Sequence, residues 1–421
     1  MNSGMITVGT TWTTTNLTSS IPSPDINTAF PFSMQTSLWN QMTSSKSTLA
    51  NRASKSGGQT RITLDDLLSQ YWEYTTAHNL CLYGYPSILI LGTVGNLLTL
   101  AVMINSGMRR RSTGFYMSAL SVFDTLVLYT SCFRQWLSLL NDSEVLSLSN
   151  ASCKTFNFLS YTFFDIAVWL LIVMTCERYL VVQFPLLSPK VASLHIARAA
   201  IIVLILVMCA LNLHFFWTVS LDSNEYCKYT EDSSHFHDDV WPWIDATVYS
   251  FLPFIILLVF NILIIVVHRK ATILRKTTVR VHRSEITNHN NAGVQFRLST
   301  MLITVTMTFL VLSAPNVILI CIRHKYFDFS VQINDLRDIA VYRLVAMVTN
   351  FCLYLNHAVN FFLYCISGER FRRELVNLFR RSRRRRPTWS MGFSDVTTRT
   401  LNLSESSAAS PVSVRRIEED V

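Results

Sequence analysis

Seven apolar stretches, each about long enough to cross a bilayer, dominate this chain: residues 82–104, 115–137, 156–182, 199–219, 244–267, 301–322 and 339–366. A helix needs roughly 20 residues to cross a hydrocarbon core about 30 Å thick. Lipid offers backbone N–H and C=O groups no partners, so such segments must satisfy their own hydrogen bonds by winding as α-helices. Short connections join the seven, which predicts an all-α membrane protein with one seven-transmembrane helix bundle over residues 80–368. Half of the residues are hydrophobic and 15% are charged, as expected of a chain that lies mostly in lipid.

The basic residues set the orientation. Arg109, Arg110 and Arg111 follow the first stretch, and Lys190 and Arg198 lie between the third and fourth. A basic segment at 269–297 separates the fifth from the sixth, and Arg370 to Arg386 follow the seventh. Positive loops stay in the cytoplasm, and an odd number of crossings then leaves the amino terminus outside. The net charge of +9 is accounted for by topology and by anionic inner-leaflet lipid, not by nucleic acid.

Residues 1–79, rich in Ser, Thr and Asn, form an expected disordered extracellular tail. No apolar stretch follows Met1, so the first crossing is expected to start insertion. Asn16, Asn141 and Asn150 open glycosylation acceptor triplets on outer segments. Past the seventh stretch, Phe371, Leu375, Leu378 and Phe379 recur at helical spacing among arginines. That pattern predicts a short amphipathic eighth helix over 369–381 on the inner leaflet. A disordered cytoplasmic tail over 382–421 carries Ser and Thr for phosphorylation.

Of the nine cysteines, Cys153 and Cys227 both lie on the oxidising side, where a bridge between them is expected. Cys81 and Cys321 also lie near that surface and offer a second pairing. The remaining five pack as small apolar residues. No CxxC pair or His–Cys cluster points to a metal.

Several motifs occur in order along the stretches: Gly95-Asn96 in the first, Leu120-Ser121-Val122-Phe123-Asp124 in the second, and Cys153 with Glu177-Arg178-Tyr179 in the third. Pro253 lies in the fifth, Pro315 in the sixth, and Asn360-Phe361-Phe362-Leu363-Tyr364 ends the seventh. On these residues the chain resembles the rhodopsin-like (class A) G-protein-coupled receptors over about residues 80–379. The resemblance implies that Arg178, neutralised at rest by Glu177, is released on activation to contact a heterotrimeric G protein. Tyr179, Phe309, Pro315, Asn360 and Tyr364 take the parts of inner-end and helix-six switches. Asp124 sits mid-membrane, where an ionisable group is costly and functional. Asn96, Asn356 and Asn360 are expected around it, holding either a sodium ion or a water network.

The chain departs from the family pattern in places. Gln295 stands where an acid would hold Arg178 to the sixth helix, which predicts weaker restraint and some basal activity. Asn261, Ser313 and Phe361 replace expected residues, Ala167 stands where a Ser is usual, and His357 is an unusual neighbour for Asp124.

For the ligand, Ser160 occupies the position of the amine-binding Asp, which argues against a biogenic amine. No Lys lies within a stretch to hold retinal. The loop over 221–240 carries Asp222, Glu225, Glu231, Asp232, Asp238 and Asp239 against Lys228, a field that draws in cations. Arg134, Gln135, Ser160, Asp165, Arg343 and Asn350 are the ligand-binding candidates, with Trp136 beside them. The Ser313-Ala314-Pro315 segment and the end of the seventh stretch are similar to invertebrate receptors for FMRFamide-type peptides. That likeness implies a short, basic, amidated neuropeptide as ligand, arrestin and receptor kinases as partners, and the plasma membrane as location. The alternatives are a class A receptor for a lipid or small metabolite, or a transporter. Transporters carry internal repeats, and none is visible here. An enzyme is not expected, because the acids Asp124, Asp165 and Glu177 are spread in depth and no nucleophile motif accompanies them.

Overall fold

The computed structural model describes residues 64–141, 144–223, 226–233, 235–278, 287–326 and 336–384. Seven helices are long and apolar enough to cross a membrane: Trp72–Asn105, Ser112–Asn141, Asn150–Gln183, Leu194–Thr218, Trp241–Ile273, Ser299–Leu319 and Leu336–Ser367. Most overrun the apolar stretch that predicts them, because winding continues through polar residues once caps are available. Ser149 Oγ accepts from Ser152 N at 3.0 Å to start the third span, and Ser193 Oγ accepts from Ile196 N to start the fourth.

The third span is the axis of the bundle. Its apolar window is 72% buried against 28% for the fourth and fifth, so those two line the rim. The outward faces are apolar: Ile90, Leu91, Val94 and Leu97 on the first span, and Ile202, Val203, Leu206 and Val207 on the fourth, are exposed. Asn96, Asp124, Arg178 and Asn360 are buried instead. This inverted distribution is stable only where the surrounding medium is itself apolar.

Small residues let the helices approach. A Cβ placed on Gly92 would lie 2.9 Å from Ala358 Cβ on the seventh span and 2.5 Å from Leu128 Cδ1 on the second. One on Gly95 would lie 2.9 Å from Phe361 Cβ. Without a hydrophobic drive between helices in lipid, such close packing supplies much of their attraction.

Three spans change winding partway, the first through a π-helical turn at Leu80–Gly84. Residues Leu128–Phe133 in the second and Ala246–Phe251 in the fifth form π-helical turns. Pro253 lies just after the latter, where α winding resumes. A proline has no N–H to donate, so the regular i→i−4 ladder is interrupted there anyway. Pro315 lies inside the sixth helix.

Three expectations need correction. The outer tail was expected to end at residue 79, yet Leu64–Leu68 and Trp72–Asn79 are helical, the second continuous with the first span. Leu68, Glu73 and Ala77 are buried, and Arg337 Nε lies 3.2 Å from Glu73 Oε1; the polar residues between these contacts hid the packed face. The second disulfide does not form, since Cys81 is a free thiol with its Sγ 3.2 Å from Met347 Sδ. The terminal helix runs Glu369–Arg384, past residue 381. Phe371 anchors it, with its ring 5.6 Å from Tyr364 and 5.9 Å from Phe361. The chain divides after Leu378; of the second unit, Phe379–Val421, only the helical residues through Arg384 are described. Asn16 and the tail from residue 385 lie outside the described residues, whereas Asn141 and Asn150 are exposed.

Gly92→Val is expected to force the first and seventh spans apart, an overpacking cost of about 1–3 kcal/mol. The check is the thermal midpoint of the purified protein in detergent, which should fall; an unchanged midpoint would remove the close-approach argument.

Candidate functional site

One end of the bundle is roofed by a two-stranded hairpin, β1 (Val219–Leu221) and β2 (Cys227–Tyr229). It is antiparallel, with Val219 opposite Tyr229 and Leu221 opposite Cys227. The Cys153–Cys227 disulfide, with Cα atoms 5.6 Å apart, ties β2 to the start of the third span. Behind the hairpin lies a knot of rings. Tyr229 stacks on His237 at 3.7 Å, His214 meets Trp241 at 4.0 Å, and Phe215 packs on Tyr161 at 4.6 Å. His237 is fully buried, and burial, with His214 beside it, holds its imidazole down at about 3. The acidic field is smaller than the sequence implies, because Lys228 Nζ pairs with Asp222 Oδ2 at 2.7 Å. Glu231 and Asp232 remain exposed. Glu225 and the side chains of Asp238 and Asp239 lie outside the described residues.

Under this roof is a small cavity bordered by Asp165 and Phe164 of the third span, Asp245 and Tyr249 of the fifth, Asn316 of the sixth and Leu353 of the seventh. It has room for about one water. Asn212 of the fourth span donates through Nδ2 to Asp165 Oδ2 at 2.8 Å. Asp245 is a second buried acid here, 6% exposed. It corrects the count of acids inside the bundle, where Asp124, Asp165 and Glu177 alone were expected. Its place near the edge of the fifth apolar stretch made it read as a boundary residue. Trp169 Nε1 donates to the Val248 carbonyl at 3.0 Å, tying the third span to the π turn that follows Asp245.

Phe164 separates this cavity from a deeper one. Its ring meets Tyr249 at 5.6 Å on one side and His357 at 5.1 Å on the other. The deeper cavity, again water-sized, is lined by Asp124, Phe309, Asn356, His357 and Asn360 among others. Both Asp124 oxygens are engaged: His357 Nδ1 lies 2.8 Å from Oδ1, and Asn360 Nδ2 donates to Oδ2 at 2.8 Å. Asn96 Nδ2 donates to the His357 carbonyl at 3.1 Å. Two polar atoms of this cluster are buried with no hydrogen-bond partner, the acceptor Asn96 Oδ1 and the donor Asn356 Nδ2.

At the other end of the bundle, Glu177 and Arg178 interact electrostatically, and each also bonds to a different neighbouring span. Ser112 Oγ of the second span donates to Glu177 Oε1 at 2.6 Å, while Arg178 Nε donates to Ser299 Oγ of the sixth at 2.8 Å. Adjacent helix positions point to different neighbours, about 100° apart around the axis, so the two groups turn to different spans. Ser299 was not foreseen; it supplies a link to the sixth span, and the side chain of Gln295 lies outside the described residues. Tyr179 packs on Phe260 at 5.4 Å. Higher up, Thr306 Oγ1 donates to Asn261 Oδ1 at 2.9 Å, so a residue that departs from the family pattern joins the fifth and sixth spans. Ser313 Oγ donates to the Phe309 carbonyl at 2.7 Å, ahead of Pro315. Tyr364 is buried.

Of the ligand-binding candidates, Asp165 lines the upper cavity. Arg134 is buried and lies 3.9 Å from Glu144, an acid the sequence reading overlooked. Trp136, beside Gln135, donates to the Leu82 carbonyl at 3.2 Å and so braces the first span. Ser160 is buried and donates to the Thr130 carbonyl at 3.3 Å. The Arg343 guanidinium lies 4.8 Å from the Tyr74 ring centroid. Asn350 is buried with its Nδ2 unbonded.

A family model described as 7 transmembrane receptor (rhodopsin family) matches residues 95–385. CX3C chemokine receptor 1 of Bos taurus is 23% identical over 342 residues, 76% of this chain and 86% of its own length. The sex peptide receptor of Drosophila melanogaster is 24% identical, over 77% of this chain and 78% of its length. The FMRFamide receptor of the same fly is 23% identical, over 69% of this chain and 52% of its length.

Two outcomes follow from this geometry. Ser299→Ala removes a hydrogen bond to a charged group, worth about 1.5 kcal/mol or more, and should raise ligand-independent signalling up to roughly tenfold. Unchanged basal output at equal surface expression would show that this bond does not restrain the sixth span. His237 has its folded value below its unfolded value of about 6.5, so the unfolded chain takes up the proton first. Its contribution is intact above about pH 6.5 and is lost as pH falls toward 3, by up to about 1.4 kcal/mol per pH unit. Thermal midpoints from pH 7.5 to 5 should fall less in His237→Phe, which keeps a ring on Tyr229 but cannot titrate.

Proposed function

The chain belongs to the rhodopsin family of seven-transmembrane receptors and is a G-protein-coupled receptor, and from that premise we propose that its ligand is a short extracellular peptide carrying basic character. The observation that carries this reading is the arrangement at the roofed end: a disulfide-tethered hairpin with exposed acids, above a cavity bordered by two more acids. Cationic ligands are steered toward such a mouth. The names of two relatives, the sex peptide and FMRFamide receptors, support a peptide over a lipid or small metabolite.

In this proposal the roofed end and the amino terminus face outward at the plasma membrane, and the Arg178 end faces the cytoplasm. The basic terminal helix Glu369–Arg384 rests on anionic lipid, and receptor kinases and arrestin act on the tail beyond it. The upper cavity communicates with the centre of the bundle through Phe164, which touches both Tyr249 and His357. A ligand that moves Phe164 disturbs the His357–Asp124–Asn360 bonds, which join the second and seventh spans. Separation of the sixth span from the third then breaks the Arg178–Ser299 bond and frees Arg178 for the G protein. A sodium ion or a water network fills the space beside Asp124.

The test is a calcium and cAMP response in transfected cells exposed to a panel of amidated neuropeptides, with Arg178→Ala as control. A saturable response, lost in the mutant while surface expression is retained, is expected. Silence from a well-expressed receptor that answers a lipid panel instead would overturn the peptide reading.

A further inference from the structure

Two buried carboxylates border the upper cavity, and none of the described residues lining it is a Lys, Arg or His. Asp165 has one oxygen engaged by Asn212. Asp245, 94% buried by the complement of its 6% exposure, accepts no hydrogen bond from any described residue. An ionised carboxylate withdrawn from water without a partner is costly, and a second one in the same cavity raises that cost. A proton on a carboxyl, or a positive charge brought by a ligand, relieves that cost.

We infer that Asp165 and Asp245 form a two-carboxylate seat for a single guanidinium group carried by the ligand. This inference rests on the peptide reading only in requiring a ligand with a basic side chain. Its chemistry follows from the oxygens left over. Among the described residues none donates to Asp165 Oδ1, to either oxygen of Asp245 or to Asn316 Oδ1, and Asn316 bonds through its Nδ2 to Ser250 Oγ. A guanidinium offers five N–H donors in a planar fork, whereas an ammonium offers three from a point. Phe164 and Tyr249 present rings at the same cavity, and guanidinium stacks on aromatic faces. The space between these groups now suits one water, so the ligand group enters by displacing water and parting the walls. The π turn Ala246–Phe251, directly after Asp245, gives the fifth span a place to yield. Once seated, the group draws the third and fifth spans onto one charge, with Asn316 of the sixth beside it.

The experiment uses the full-length receptor in nanodiscs and follows its thermal midpoint against argininamide, citrullinamide and sodium chloride. Argininamide should stabilise the wild type saturably, and citrullinamide, similar in shape but uncharged, should not. The half-maximal concentration should rise about tenfold or more in Asp165→Asn and Asp245→Asn. If Asp165→Asn fails to fold after losing its bond to Asn212, Asp245→Asn decides alone, because no described residue hydrogen-bonds that carboxylate. The inference is overturned by any of four results: no stabilisation of the wild type, equal stabilisation by citrullinamide, equal stabilisation by sodium chloride at matched ionic strength, or an undiminished response in Asp245→Asn. A silent peptide panel with argininamide stabilisation intact would remove the peptide reading alone. The reverse pattern would remove the guanidinium seat alone.

Discussion

Lipid cannot hydrogen-bond to a peptide group, and the rest of this molecule depends on that fact. Every segment that crosses must close its own backbone bonds, so the apolar stretches become helices whatever their side chains prefer. The same medium reverses the usual sorting of residues. Leucines and isoleucines cover the outside of the first, fourth and fifth spans, and the polar side chains collect along the axis. Once inside, they have only one another. Asp124 is held by His357 and Asn360, Asp165 by Asn212, Asn261 by Thr306, Glu177 by Ser112 and Arg178 by Ser299. Each of these bonds joins two different spans.

These bonds lie at successive depths along the bundle. Asp165 and Asp245 lie under the hairpin, Asp124 and its partners lie deeper, and Arg178 lies at the opposite end. Phe164 is the joint between the first two levels, since one ring touches Tyr249 above and His357 below. A displacement at the roofed end therefore has a packed route to the centre. Close packing makes such a route effective, because side chains without free volume transmit movement. The helices are irregular along this route: π winding precedes Pro253 in the fifth, and Pro315 removes one N–H from the ladder of the sixth.

The roof is held differently. Its hairpin is short, three residues a strand, and gains order from the Cys153–Cys227 bridge and from rings packed behind it. His237 lies within that ring cluster with no acid against it among the described residues, which makes the roof depend on its neutrality. The exposed acids of the loop stand at its edge, where they act on approaching charge without a desolvation cost.

The number of crossings, their approximate limits, the basic loops and the cysteine pair were legible from residue order, because each depends on local composition or on the side of the membrane it faces. The outer extension at Trp72–Asn79 was hidden, since its buried residues are too sparse to form an apolar stretch and acquire meaning only against Arg337 and the seventh span. Asp245 was hidden because an acid near the end of an apolar stretch reads as a boundary. The partner of Arg134 was hidden because Glu144 lies in a separate segment. By itself, the sequence determined that this chain crosses a membrane seven times as helices and carries the residues of a rhodopsin-family receptor, since hydrocarbon solvation acts on each segment independently. Only the tertiary structure decided which polar groups meet: that His357 bonds Asp124, that Arg178 bonds Ser299 of the sixth span, and that Asp165 and Asp245 share a cavity. Those partnerships depend on the rotation and depth of neighbouring helices, which no single segment encodes.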